Sequence, residues 1–175
     1  MITDLMTEAR LMQVFPELGK TWRQIRAEMW ELHQVQIRVT EGLRSFEKQL
    51  EDWSKGREKV DGAWKVTELS KVVTHAPPGQ SAHQFGLGVD TAFMGEDPYL
   101  AQMDPKKAEF LWNEYGRLAI SHGLDWGGSW EAVKRDRPHV ENLYRHRMAE
   151  IRNFYEVGGL AAVWTNCSKN WRTLC

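Results

Sequence analysis

The chain has 175 residues, enough for one domain to bury a sizeable core without disulfides. Hydrophobic residues make up 42% and charged residues 27%, the balance of a soluble globular domain and not of a disordered or fibrous chain. Twenty-three basic side chains against twenty-four acidic ones give a formal charge of -1, which leaves no field to gather nucleic acid or anionic lipid.

In chain order, Leu5, Met6, Leu11 and Met12, then Trp22, Ile25, Met29 and Trp30, recur every three or four residues, which predicts two helices separated at Pro16. Asp4, Glu8, Arg10, Glu17 and Lys20 interrupt any apolar leader here, and no uncharged run is long enough to span a bilayer. Neither a signal peptide nor membrane insertion is expected, and synthesis in the cytoplasm is. Val35, Ile37 and Val39 alternate with polar residues as a half-buried strand does, and Gly42 ends it. Ser45 is the expected N-cap of a short helix through Leu50 and Trp53 that stops near Gly56. Residues 60 to 80 read as loop, with Asp61-Gly62, a short strand candidate at Val72-Val73-Thr74, and Ala76-Pro77-Pro78-Gly79. Leu87 to Met94 is a second strand candidate, and Pro105 to His122 an amphipathic helix with Gly123 just past its end. Asp125 to His139 reads as irregular, and Tyr144 to Val157 as a helix that halts at Gly158-Gly159 before a last packing segment. No repeat or linker interrupts the chain, so residues 1–175 are expected to be a single domain and a monomer.

The residues able to ligate a metal fall into one suggestive set: His83 and Asp90 across Gly86 and Gly88, then Asp136 and His139 in Asp136-Arg137-Pro138-His139. A catalytic zinc takes three nitrogen or carboxylate ligands and keeps a fourth position open for water, whose pKa falls to about 7. His83, Asp90 and His139 supply such ligands, and Asp136, three residues from His139, is a carboxylate placed to move the proton. Taken alone, these spacings recur by chance in many soluble proteins. His33, His75 and His122 lie outside the set, and Cys167 and Cys175 have no partner in a recognisable nucleophile arrangement. Nine tryptophans can fill a core or wall a groove, and for Trp126 and Trp130 both roles stay open.

The run Ser81-Ala82-His83-Gln84-Phe85-Gly86-Leu87-Gly88-Val89-Asp90 resembles the S-x-H-x-x-G-x-A-x-D motif of the metallopeptidase family that includes D-alanyl-D-alanine carboxypeptidases, D,D-dipeptidases and phage endolysins, with Gly88 for the usual Ala. Thr40-Glu41-Gly42-Leu43-Arg44-Ser45 through Gln49 is similar to that family's G-x-R-S-x-x-x-Q segment. Trp126-Gly127-Gly128-Ser129-Trp130, then Asp136-Arg137-Pro138-His139, resembles the W-G-G-x-W and D-x-P-H signature of the endolysin branch. The resemblance runs in order from about Val35 to Glu141, with residues 142–175 left as a C-terminal helical packing segment.

The resemblance implies an α+β fold of the hedgehog/D,D-peptidase type, a small, mainly antiparallel sheet carrying one zinc ion among surrounding helices. It makes His83, Asp90 and His139 the zinc ligands, Asp136 the catalytic acid/base where much of the family has Glu, and Arg44 the electrophilic partner of the scissile carbonyl. Gln49 and Ser81 would bind substrate. The activity implied is hydrolysis of the peptidoglycan stem peptide, with an endolysin cutting the L-alanyl-D-glutamate bond favoured. Such a protein would gather in the cytoplasm of a host and reach the wall after membrane breach. A D-alanyl-D-alanine carboxypeptidase is the alternative enzyme, and a catalytically silent zinc domain that binds peptidoglycan the alternative of another class.

Overall fold

A computed structural model of the chain describes residues 4–171. Helices α1 (Leu5–Leu11) and α2 (Pro16–His33) flank Pro16 as expected. The Asp4 carboxylate caps α1 by accepting from the Met6 N–H and the Thr7 hydroxyl at 3.2 and 2.7 Å. The Thr7 hydroxyl in turn accepts from the Val39 N–H at 2.9 Å, fastening α1 to strand β1 (Ile37–Glu41). Ile37 and Val39 are buried and Arg38 is exposed, the alternation read in the sequence. Helix α3 (Phe46–Ser54) starts where the Ser45 hydroxyl accepts from the Lys48 N–H.

Residues 57–66, read as loop apart from Arg57 to Lys59, instead form a hairpin of β2 (Arg57–Val60) and β3 (Ala63–Val66). Asp61 and Gly62 both take positive φ, 54° and 79°, the geometry that a two-residue hairpin turn demands. The strand candidate at Val72-Val73-Thr74 is corrected in the other direction. It follows a 3-10 turn at Leu69–Lys71 and is extended chain outside any sheet.

A 3-10 turn at Ala82–Phe85 leads into β4 (Gly88–Phe93), and α4 (Pro105–Ser121) follows, capped by Asp104. The stretch from 125 to 139 is irregular in its middle, but its ends are β5 (Asp125–Trp126) and the start of β6 (His139–Glu141). The four strands β1-β4-β6-β5 pair antiparallel in that order. The last helix, α5 (Met148–Trp171), begins later than expected because Tyr144 and Arg145 take φ of 51° and 66°, which no right-handed helix admits. Gly158 and Gly159 leave helical φ/ψ and interrupt it where the sequence placed the halt, and a second helical stretch follows the break.

One face of the sheet is closed by α2 and α4. The Trp22 indole N–H donates to the Thr91 hydroxyl at 2.9 Å, and that hydroxyl is 2.7 Å from the Tyr115 hydroxyl, so one buried chain of hydrogen bonds crosses from α2 through β4 to α4. Trp126 is pressed between Gly116 of α4 and Gly128, where a Cβ would stand 2.2 and 2.1 Å from its ring. Among the described residues, the buried side chains from Leu11 to Cys167 form one continuous cluster. The architecture is α+β, a small antiparallel sheet with helices around it, as anticipated.

Candidate metal centre

His83 sits on the 3-10 turn at Ala82–Phe85, where Gly86 at φ 66° turns the chain into β4. Asp90 lies on β4, and the antiparallel register sets His139 of β6 directly opposite it. Cross-strand partners project to one face, so a residue 49 positions away arrives beside Asp90. His83 Nε2 lies 3.2 Å from Asp90 Oδ1 and 3.1 Å from His139 Nδ1, and His139 Nδ1 lies 2.9 Å from Asp90 Oδ1. The ligand atoms all fall within 4.8 Å of one another, a group that could hold a metal ion.

The outer nitrogens settle which atoms face inward. His83 Nδ1 meets the Gly42 carbonyl at 2.8 Å and donates to it, leaving the Nε2 lone pair for the centre. His139 Nε2 meets the Glu141 carboxylate at 3.0 Å, leaving Nδ1 inward. Two imidazole lone pairs 3.1 Å apart, together with a carboxylate, repel unless a positive charge sits among them. A proton or a metal cation satisfies that demand. Burial alone would lower the His139 imidazole, yet Asp90 and Glu141 outweigh it and push it up to about 10. Burial works to raise the Asp90 carboxyl, and the two imidazoles reverse this and hold it well below the usual carboxylate range. Gly88, the departure from the family motif, adjoins the site: a Cβ there would be 3.1 Å from His139 Cε1. Its absence gives the ring room.

Arg44 follows β1, and its backbone N–H donates to the His83 carbonyl at 3.0 Å. Its guanidinium is gripped by Glu41, Nε donating to Oε1 at 2.7 Å and Nη2 to Oε2, while Nη1 donates to Gln49 Oε1 at 2.9 Å. Burial would lower the Arg44 pKa, but Glu41 outweighs it and raises it. Nη2 also stands 3.8 Å from Asp90 Oδ2, which places the cation at the edge of the centre. Gln49 is fully buried, and its amide nitrogen donates to the Ala76 carbonyl at 2.7 Å. Both ends of its amide are therefore committed inside the protein, and it braces Arg44 and the chain at Ala76. Ser81 lines the cleft.

That cleft, about 870 Å³, brings together Arg44, Ser81, His83, Asp90, Asp136 and His139. Asp136 is held in a tight turn, its N–H donating to Gly127 O at 3.0 Å and its carbonyl accepting from the His139 N–H at 3.2 Å. Solvent reaches its carboxyl, yet the cleft walls withdraw enough water to raise its pKa, and the nearby Asp90 charge raises it further. Trp130 lines the cleft with its ring 5.3 Å from that of His139, whereas Trp126 is buried and donates to the Arg137 carbonyl at 2.8 Å. The two tryptophans thus divide the roles left open by the sequence.

His33 and His122 pair with Glu114 and Glu28 at 3.0 and 2.6 Å, away from the centre, while His75, set aside in the sequence, lines the cleft. The Cys167 thiol is buried and pushed up to about 12, and Cys175 lies outside the described residues. Sequence reasoning gave no role to Glu41, which grips Arg44, or to Glu141 and the Gly42 carbonyl, which orient the candidate ligands His139 and His83. Glu41 and Gly42 lie within the segment recognised around Arg44, and Glu141 lies two residues past His139. Among the described residues, no helix is long and apolar enough to cross a membrane.

Residues 74–142 match a family model described as D-alanyl-D-alanine carboxypeptidase. Over 113 residues the chain is 32% identical to the peptidoglycan L-alanyl-D-glutamate endopeptidase CwlK of Bacillus subtilis (strain 168), covering 62% of each protein. It thus spans about three fifths of that relative's length. The crystal structure of the Serratia marcescens L-Ala D-Glu endopeptidase ChiX shares the fold, with a TM-score of 0.51 at 24% identity over 79% of this chain and 87% of that one. The stretch matched by the family model contains His83, Asp90, Asp136 and His139, the residues that converge on the cleft, so the likeness to these peptidases falls on the candidate site itself.

Proposed function

We propose that the chain is a zinc-dependent peptidoglycan peptidase that hydrolyses the L-alanyl-D-glutamate bond of the stem peptide, acting as an endolysin on the wall after membrane breach. The observation that carries the reading is the convergence of His83 Nε2, Asp90 and His139 Nδ1 at one point of an open cleft that also holds Asp136. Two imidazole nitrogens and a carboxylate are a donor set that suits zinc, with room on the cleft side for water or substrate. Similarity to CwlK supports the bond assigned, and the Trp126-to-Trp130 segment supports the endolysin context. In this reading residues 1–175 are one catalytic domain that works as a monomer.

Zinc, when bound, supplies a Lewis acid that polarises the scissile carbonyl and makes water acidic enough to attack it near neutral pH. The chain's own groups do the rest. Asp136 takes the proton from the attacking water and delivers it to the departing nitrogen as the C–N bond breaks, so that a carboxylate and an amine leave. Arg44, fixed by Glu41 and Gln49, directs donors at the oxygen where negative charge builds, and it arrives already oriented. Ser81 contributes a hydroxyl to the peptide bed, with Trp130 as an apolar wall.

Asp136→Ala should retain one zinc per chain by elemental analysis and lose at least about a hundredfold in the rate of digestion of purified cell walls. A variant that digests walls at the parental rate removes the acid/base assignment. Mass spectrometry of the fragments identifies the bond: new N-terminal glutamate supports the endopeptidase. Released D-alanine would instead indicate the carboxypeptidase named in the family description.

A further inference from the structure

The cleft holds more positive charge than the hydrolytic step uses. Asp90 is engaged by His83 and His139, Glu141 by His139, and Arg44 by Glu41 and Gln49. Lys134 and Arg135 are left over. Both line the cleft beside Asp136, both are exposed, and among the described residues neither side chain has a hydrogen bond or ion pair. They are not on a loose tail. The Lys134 N–H donates to Glu131 O at 2.8 Å and the Asp136 N–H to Gly127 O at 3.0 Å, so backbone bonds anchor the run on both sides.

We infer that Lys134 and Arg135 form an anion subsite that takes the free carboxylate of the residue contributing the leaving amine. The inference rests on the alanyl-glutamate reading above and adds to it. A glutamate joined through its nitrogen and one of its two carboxyls keeps the other, ionised at neutral pH whichever one continues the chain. Asp136 must stand beside the departing nitrogen to protonate it, which brings that glutamate to the part of the cleft where Lys134 and Arg135, the two residues before Asp136 in the chain, also line the wall. Arginine offers paired donors matched to a carboxylate, and lysine a mobile ammonium that follows it. Two adjacent, uncommitted cations next to the proton donor therefore select a substrate that is anionic on the leaving-group side.

The test uses two synthetic stem peptides that differ only in that glutamate carboxyl, free in one and amidated in the other, with the zinc-loaded full chain. The expected kcat/KM is about tenfold higher for the free acid, and the preference should shrink as salt is raised. In the double variant Lys134→Gln/Arg135→Gln the ratio should fall to near one, and the charge-keeping swap Lys134→Arg/Arg135→Lys should restore most of it. A wild-type ratio near one, or a double variant that keeps the tenfold preference, overturns the subsite while leaving the endopeptidase reading standing. If the zinc-loaded protein cuts neither peptide, the alanyl-glutamate reading itself fails and takes the subsite with it.

Discussion

Glu141 orients the His139 ring, since its carboxylate meets Nε2 at 3.0 Å and so turns Nδ1 toward Asp90 and His83. The carboxylate has a cost. Glu141 is the register partner of Asp125 across β5 and β6, and the Asp125 pKa is raised, first by burial and then by the Glu141 charge. A second acid in that place is tolerated because His139 uses it. Glu141→Ala should weaken zinc binding about 10- to 100-fold in competition with a chromophoric chelator, and Glu141→Gln, which keeps an acceptor oxygen, should weaken it less. Equal affinity in all three proteins would show that His139 holds its orientation by packing alone. The candidate ligands His83, Asp90 and His139 could be picked out of the sequence as a set, because a motif fixes their types and spacing, and the fold brings their ligating atoms within 4.8 Å of one another. Glu141 and the Gly42 carbonyl could not, since their roles exist only once the register sets Asp90 against His139 and the turn at Ala82–Phe85 lays His83 against the residue after β1.

Among the elements, the helices were the most readable, because a 3.6-residue apolar period runs along them and start signals stand at several of them: Pro16 and Pro105 at first turns and Ser45 at a cap. The β2–β3 hairpin escaped because its strands are short, charged and largely exposed, so no alternation marks them, and only Asp61-Gly62 signals the turn. The start of α5 escaped for a related reason, since nothing in the local pattern requires Tyr144 and Arg145 to be left-handed. Their conformation follows from tertiary packing, with the Tyr144 ring set edge-on against Phe15 at 4.8 Å. One close approach between elements positions the loop that leads to Asp136: α4 meets the 125–130 segment through Gly116, where a Cβ would stand 2.2 Å from the Trp126 ring. Gly116→Ala must displace Trp126, whose indole holds the Arg137 carbonyl two residues before His139. The expected cost is about 1–3 kcal/mol in chemical denaturation, with reduced activity. Unchanged stability and activity would show that the loop is positioned without Trp126.

Across the whole molecule the candidate ligands come from a turn, from β4 and from β6, so whatever cation occupies the centre also joins the middle of the chain to its last third. In metal-free protein that cation is a proton. The His139 imidazole is pushed up to about 10 in the folded state, against about 6.5 when unfolded. Because the folded pKa is the higher one, the proton's contribution to stability is complete below about pH 6.5 and is lost progressively as pH climbs toward 10. Zinc requires the same nitrogen deprotonated, so its binding strengthens over the range in which the proton's contribution fades. The melting temperature of chelator-treated protein should therefore fall between pH 6.5 and 9.5, while that of zinc-loaded protein stays level or rises. At free zinc a hundredfold above its Kd the difference amounts to about 2.7 kcal/mol, roughly 5–10 °C for a chain of this size. Two melting curves that run parallel in pH would mean that proton and metal do not share His139, and the centre would have to be sought elsewhere.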